Sequence, residues 1–151
     1  MSALLVPLVL LMNGLSAGVL VGSQLGGFPL MASLPPDRYV YTHAFFSTRY
    51  DPFMPICLVG TVVGDAALAV LSPDARALYA VGALLALITV LVSVTKNVPI
   101  NKWVQRLDPE RLPDGFDPSS RRSSWGRWNL TRSCLAVAAL LANCVALGVV
   151  L

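Results

Sequence analysis

Charge and histidine are what this chain has least of. Asp, Glu, Lys and Arg make up 13% of its 151 residues against 56% hydrophobic residues, which is not the balance of a water-soluble globular domain. The sole histidine, His43, excludes a bis-histidine haem site within the chain and any H-E-x-x-H zinc site. Three cysteines, Cys57, Cys134 and Cys144, fall in apolar stretches with no CxxC pair. They are expected to be buried free thiols, not a disulfide frame or a zinc site. There is no flavin or nicotinamide motif, no internal repeat and no low-complexity tract. The first apolar run has no basic residue before it and no small-residue cleavage site after a short apolar core, so it is expected to stay in the membrane.

What the chain has in quantity is apolar sequence. A helix needs roughly 20 apolar residues to cross a hydrocarbon core of about 30 Å, and four segments qualify: 4–26, 52–71, 75–94 and 134–151. The expected fold is all-α, one transmembrane domain over 1–151, a four-helix bundle running up-down-up-down. Asp117-Pro118 reads as a helix start, so the fourth helix should extend from Pro118 well beyond the bilayer. Ser72-Pro73-Asp74 gives the same signal between the second and third spans and makes them antiparallel neighbours. Of the eleven basic residues only Arg76 lies outside segments 27–51 and 95–133. The positive-inside rule places both segments in the cytoplasm and both termini outside the cell membrane. The formal charge of +3 follows from this anchoring and gives no reason to invoke nucleic acid.

Four glycines, Gly14, Gly18, Gly22 and Gly26, recur every fourth residue along the first span. Such a stripe lets a partner helix approach closely. Packing inside the bundle is the first expectation, with a homo-oligomer seam or a substrate groove as alternatives. In segment 27–51, Tyr39, His43, Phe46 and Tyr50 share one face if the chain is helical, and an aromatic face of this kind suits the membrane interface.

Few residues can carry chemistry. Asp65 is the one ionisable side chain well inside a span, where a carboxylate is costly unless neutral, paired or wetted. It is either hydrogen-bonded to Asn13, Ser16 or water, or a proton or cation site. His43 can be a general acid or base, a metal ligand with Asp51, Asp37 or Asp65, or an interfacial residue without a special task. Pro99 should loosen the last turn of the third helix at Val98. Asn97 and Asn101, one turn apart around it, could satisfy backbone groups or bind something polar. Trp125, Trp128 or Asn129, and Arg132 follow at helical spacing in the last helix.

The glycine-rich first helix, YDPFMP (Tyr50 to Pro55), KNVPIN (Lys96 to Asn101) and WxRWNxxR (Trp125 to Arg132), in that order, resemble the family of small four-helix membrane proteins known as anthrone oxygenase-like. The resemblance covers essentially the whole chain. It implies a membrane oxygenase or oxidase of secondary metabolism that uses O2 on a lipophilic aromatic, anthrone-like substrate. It further implies a base, His43 first and Asp51 second, and donors Asn97, Asn101 and Arg132 for the developing oxyanion. Aromatic side chains, Tyr50, Trp125, Trp128 and Tyr39, would hold the rings. The chemistry would be cofactor-free or use a single metal ion held by His43 and Asp51. A metal-dependent oxidase of another small metabolite, or a non-enzymatic scaffold or transport subunit, is the alternative.

Overall fold

A computed structural model describes residues 2–151, with side chains from Leu4 onward. The first rod comprises α1 (Ser2–Gly22), a π-helical turn (Ser23–Gly27) and α2 (Phe28–Ser33). After α3 (Pro36–Arg49) come α4 (Phe53–Leu71), a 3-10 turn (Pro73–Ala75) and α5 (Arg76–Val92). A second π-helical turn (Ser93–Asn97), α6 (Val98–Gln105) and α7 (Ser119–Val150) complete the chain. Four continuous helical stretches, Leu4–Ser33, Phe53–Leu71, Pro73–Gln105 and Ser119–Val150, are long and apolar enough to cross a membrane. The rod of α1 packs on α4 and α7, and α5 packs on the same two. Sequential neighbours are therefore spatial neighbours, which gives an all-helical up-down-up-down bundle.

Two helices run further than their apolar windows suggest. The first passes Gly26 to reach Ser33, and the third passes Pro99 to reach Gln105. Both contain a π turn just before a proline: Phe28 N–H bonds Ser23 O ahead of Pro29, and Val98 N–H bonds Ser93 O ahead of Pro99. Each bond spans five residues instead of four. The wide turn relieves the clash of a proline ring with the preceding turn, so the helix continues. Val98 is accordingly helical, at φ −58° and ψ −42°, and not loosened as the proline alone would imply. The side-chain cap expected of Ser72 is not made. Asp117 does accept from Ser119 N–H at 2.9 Å and Ser119 Oγ at 2.7 Å at the start of α7.

The glycine stripe does not pack inside the bundle. A Cβ added at Gly14, Gly18, Gly22 or Gly26 would meet nothing within 4 Å. Close approach is made by other glycines. Gly64 receives Val9 of α1, Gly60 receives Met12, Gly126 receives Phe28, and Gly82 lies against Asp65 and Asn143. Asp65 is fully buried and accepts from Asn143 Nδ2 at 3.1 Å; Ser16 instead donates to Asn13 O. The partner is thus on α7 and not on α1, because α4 and α7 are brought to either side of α5 at Gly82. All three cysteines are free, but only Cys57 is buried; Cys134 and Cys144 are exposed on the apolar surface of α7.

The aromatic face of α3 forms, but it turns inward. Tyr39 and His43 are buried and belong to the core with Ile100, Val104 and Trp125. Tyr41 and Phe45, on the other side of α3, are the exposed rings. The interface position expected for the Tyr39–His43 face is therefore wrong. Burial against α6 and α7 removes more aromatic surface from water than lying in headgroups would.

Candidate functional site

The polar residues at the α3 end of the bundle form two chains of hydrogen bonds. In the first, Trp125 Nε1 donates to Asn101 Oδ1 at 2.8 Å, and His43 Nε2 lies 2.9 Å from the same oxygen. An indole N–H can only donate, so the Asn101 atom facing it is the carbonyl oxygen, and His43 Nε2 must carry the proton to reach it. In the neutral ring Nδ1 is then an acceptor, and it takes the Tyr39 hydroxyl proton at 2.9 Å. Burial pushes the His43 pKa below 6.5, helped by the Arg132 charge and opposed by the Asn101 hydrogen bond. Burial also raises Tyr39 to about 12, with Arg122 pulling the other way. The pair is thus a neutral imidazole and a neutral phenol at pH 7.

The second chain ends on a buried cation. Arg132 Nε and Nη2 donate to Asn129 Oδ1 at 3.1 and 2.8 Å, and Nη1 donates to Ser93 Oγ at 3.3 Å. Asn129 Nδ2 passes the chain on to Gln24 Oε1 at 2.7 Å. Among the described residues no carboxylate comes within ion-pairing distance of Arg132; the ion pairs there are Arg38–Asp37 and Arg111–Asp108. A guanidinium only 7% exposed, on a helix long and apolar enough to cross a membrane and held by neutral groups, lacks the countercharge that burial demands.

Arg132 lines a cavity of about 230 Å³ between α4 and α5, smaller than the roughly 300–1,000 Å³ of sites for drug-sized ligands. Met54, Leu58, Val59, Val90 and Val94 make it apolar, while Asp51, Tyr50, Ser93 and Asn101 supply polar edges. Asn101 spends its oxygen on His43 and Trp125, which leaves Nδ2 as its free donor. The two π turns matter here, since the second sets Ser93 against Arg132 and the first sets Gln24 against Asn129.

Of the residues expected at the site, Asp51, Tyr50, Asn101 and Arg132 line this cavity. His43 and Tyr39 stand behind Asn101. Asn97 is fully buried, donates from Nδ2 to Trp125 O at 3.1 Å, and leaves Oδ1 without a partner. Trp125 packs edge-on to His43, with ring centroids 5.0 Å apart. It lines a second cavity, beside Gly22 and Gly27, which shares Tyr50 and Ser47 with the first. Trp128 is elsewhere, with Lys96 Nζ over its ring at 5.1 Å. Asp65 belongs to the opposite half of the bundle. Sequence reasoning missed Gln24 and Ser93. Their signal is the polar residue inside an apolar window just before a proline-marked turn.

The model of a family described as anthrone oxygenase matches residues 43–142. This chain belongs to the anthrone oxygenase family. The matched range begins at His43 and takes in every residue of the cavity that Arg132 lines, whereas Gln24 and the glycine stripe lie before it. Neither a curated protein nor a solved structure matches the chain. For the metal that an anthrone oxygenase-like oxidase could hold through His43 and Asp51, the donor set does not fit. Both His43 nitrogens have protein partners, and no three His, Cys, Asp or Glu side chains converge among the described residues.

Proposed function

We propose that this chain is a membrane-embedded oxygenase of secondary metabolism that uses O2 to convert an anthrone-like substrate to its quinone. The observation that carries the reading is Arg132: a buried guanidinium without a carboxylate, facing an apolar cavity, in a chain of the anthrone oxygenase family. Such a cation stabilises negative charge that appears on a lipophilic ligand, and it does so without the reorganisation that water would need.

An anthrone has an acidic benzylic CH2 opposite its ring carbonyl. Asp51, at the cavity edge, takes one proton from that carbon, and the charge moves to the carbonyl oxygen, which Arg132 and the Asn101 amide N–H stabilise. The anion gives one electron to O2, and the carbon radical and superoxide combine to form a C–O bond. Protonation gives a hydroperoxide. Loss of the second C–H proton and cleavage of the O–O bond then release water and leave the second carbonyl, so one O2 is consumed per quinone and per water. Tyr50 borders the ring plane. His43, with Tyr39 and Trp125 around it, acts as a positioning residue that fixes the Asn101 amide.

In this reading the loops 27–51 and 95–133 face the cytoplasm and both termini face outside, following the basic residues. The test is O2 uptake by purified protein with anthrone. Uptake with stoichiometric anthraquinone supports the reading, and none above a heat-denatured control overturns it.

A further inference from the structure

We propose that the substrate reaches the cavity sideways, from the bilayer, through the slot between α4 and α5, with Val59 and Val94 as its sill and Arg132 at its inner end. The identity of the ligand rests on the oxygenase reading; the route rests on geometry alone. The cavity is walled on its two sides by α4 and by the stretch from α5 into α6, and is closed at one end by Ser47 of α3 with Tyr50 and Asp51; α1 contributes nothing and α7 only Arg132. Val59 and Val94 line it and are also 51% and 58% exposed. Ile56, Val63 and Leu91 around them are exposed and apolar on the same two helices. On helices that cross the membrane, such a surface faces acyl chains.

The slot has a physical origin. The 3-10 turn Pro73–Ala75 ties α4 to α5 at the opposite end of the bundle, and helices packed at a crossing angle diverge away from their point of closest approach. At the open end no short connection holds them together: α4 begins after α3, and α5 runs on through the π turn into α6. Polarity then orders the ligand. Apolar rings rest between the valines, and an oxygen that can carry negative charge points inward to Arg132, whose donors are fixed by Asn129 and Ser93. The ligand class is a flat lipophilic molecule with one acidic oxygen edge, partitioned into the bilayer before it binds.

The experiment measures anthrone binding to the protein in lipid nanodiscs, by quenching of the native tryptophans under stopped flow, alongside O2 uptake. Val59→Phe, Val94→Phe and the double variant narrow the sill. Val63→Phe and Leu87→Phe place the same ring on exposed lipid-facing positions outside the cavity. The sill variants should associate about tenfold or more slowly, within the range by which on-rates change among variants of one site, with dissociation slowed as well because the ligand crosses the same sill in both directions. The controls should match the parent. Should a phenylalanine variant fail to fold, Val59→Leu with Val94→Leu gives a milder version of the same comparison. An unaltered on-rate in the sill variants, or equal slowing in the controls, overturns the lateral route, as does a parental protein that does not bind anthrone. Binding without O2 uptake overturns the oxygenase reading while the on-rates still decide the route.

Discussion

At the scale of single residues, Arg132 and Asn97 should separate in experiment although both are buried and polar. Arg132→Gln removes a charge that has no partner, so stability should be kept or raised. Turnover with anthrone should fall by about 10²–10³, the effect of losing one oxyanion donor. Loss of Tm with parental turnover per folded molecule would make Arg132 a scaffold residue. Asn97 lies outside the cavity and ties the second π turn to the Trp125 carbonyl. Asn97→Ala should therefore cost about 0.5–1.5 kcal/mol of stability, with turnover per folded molecule near the parental value. His43 adds a pH dependence. Its folded pKa lies below 6.5, so the unfolded chain binds the proton more readily. The contribution of a neutral His43 is complete above pH 6.5 and is lost as pH falls toward the lower folded value. Tm should drop on acidification through that window, and His43→Gln should flatten the slope. An unchanged slope in the variant would show that other groups set the acid limit.

At the scale of elements, the glycines divide by what lies beside them. The open face of α1 accepts side chains: Gly18→Leu should fold with an unchanged Tm, because an added Cβ there meets no atom within 4 Å. Gly82→Ala is the opposite case. Its Cβ would stand 2.7 Å from Asp65 Oδ2 and 3.0 Å from Asn143 Oδ1, two buried groups that have no slack, and overpacking of this kind costs about 1–3 kcal/mol. Thermal unfolding in detergent distinguishes the two, and equal midpoints would contradict the packing of α5 on α4 and α7. The π turns belong to this scale as well. Each carries a helix through a proline, and together they bring Gln24 and Ser93 onto the Asn129–Arg132 chain.

At the scale of the whole molecule, the sidedness of the bundle decides where the Asp51 edge of the cavity opens. The basic residues of the two long segments predict that Asp114→Cys reacts with an impermeant thiol reagent only after the cytoplasmic face is opened, and that Asp74→Cys reacts in intact cells. Asp74 is the suitable position because its neighbour Ala75 is buried. The reverse labelling would turn the molecule over and put the Asp51 edge of the cavity on the outside. The lateral slot would be unaffected, since both of its walls belong to helical stretches long and apolar enough to cross the membrane whichever way the bundle faces.

The four spans were legible in the sequence because burial in lipid is a property of composition over about 20 residues. Helix order followed from the tight Ser72–Ala75 connection, and the family resemblance stood on YDPFMP, KNVPIN and WxRWNxxR. Several candidate residues were named for the same reason: polar groups such as Asp65, Asn97 and Arg132 stand out against an apolar background. What each of them touches was settled only by the packing of helices far apart in sequence. The α4–α5–α7 contact chose Asn143 for Asp65, the packing of α3 and of Trp125 on α6 gave Asn101 to both His43 and Trp125, and the π turns supplied Gln24 and Ser93. Periodicity reports which face a residue occupies, but the partner of that face depends on crossing angles and helix register, and these arise only when the whole bundle is assembled.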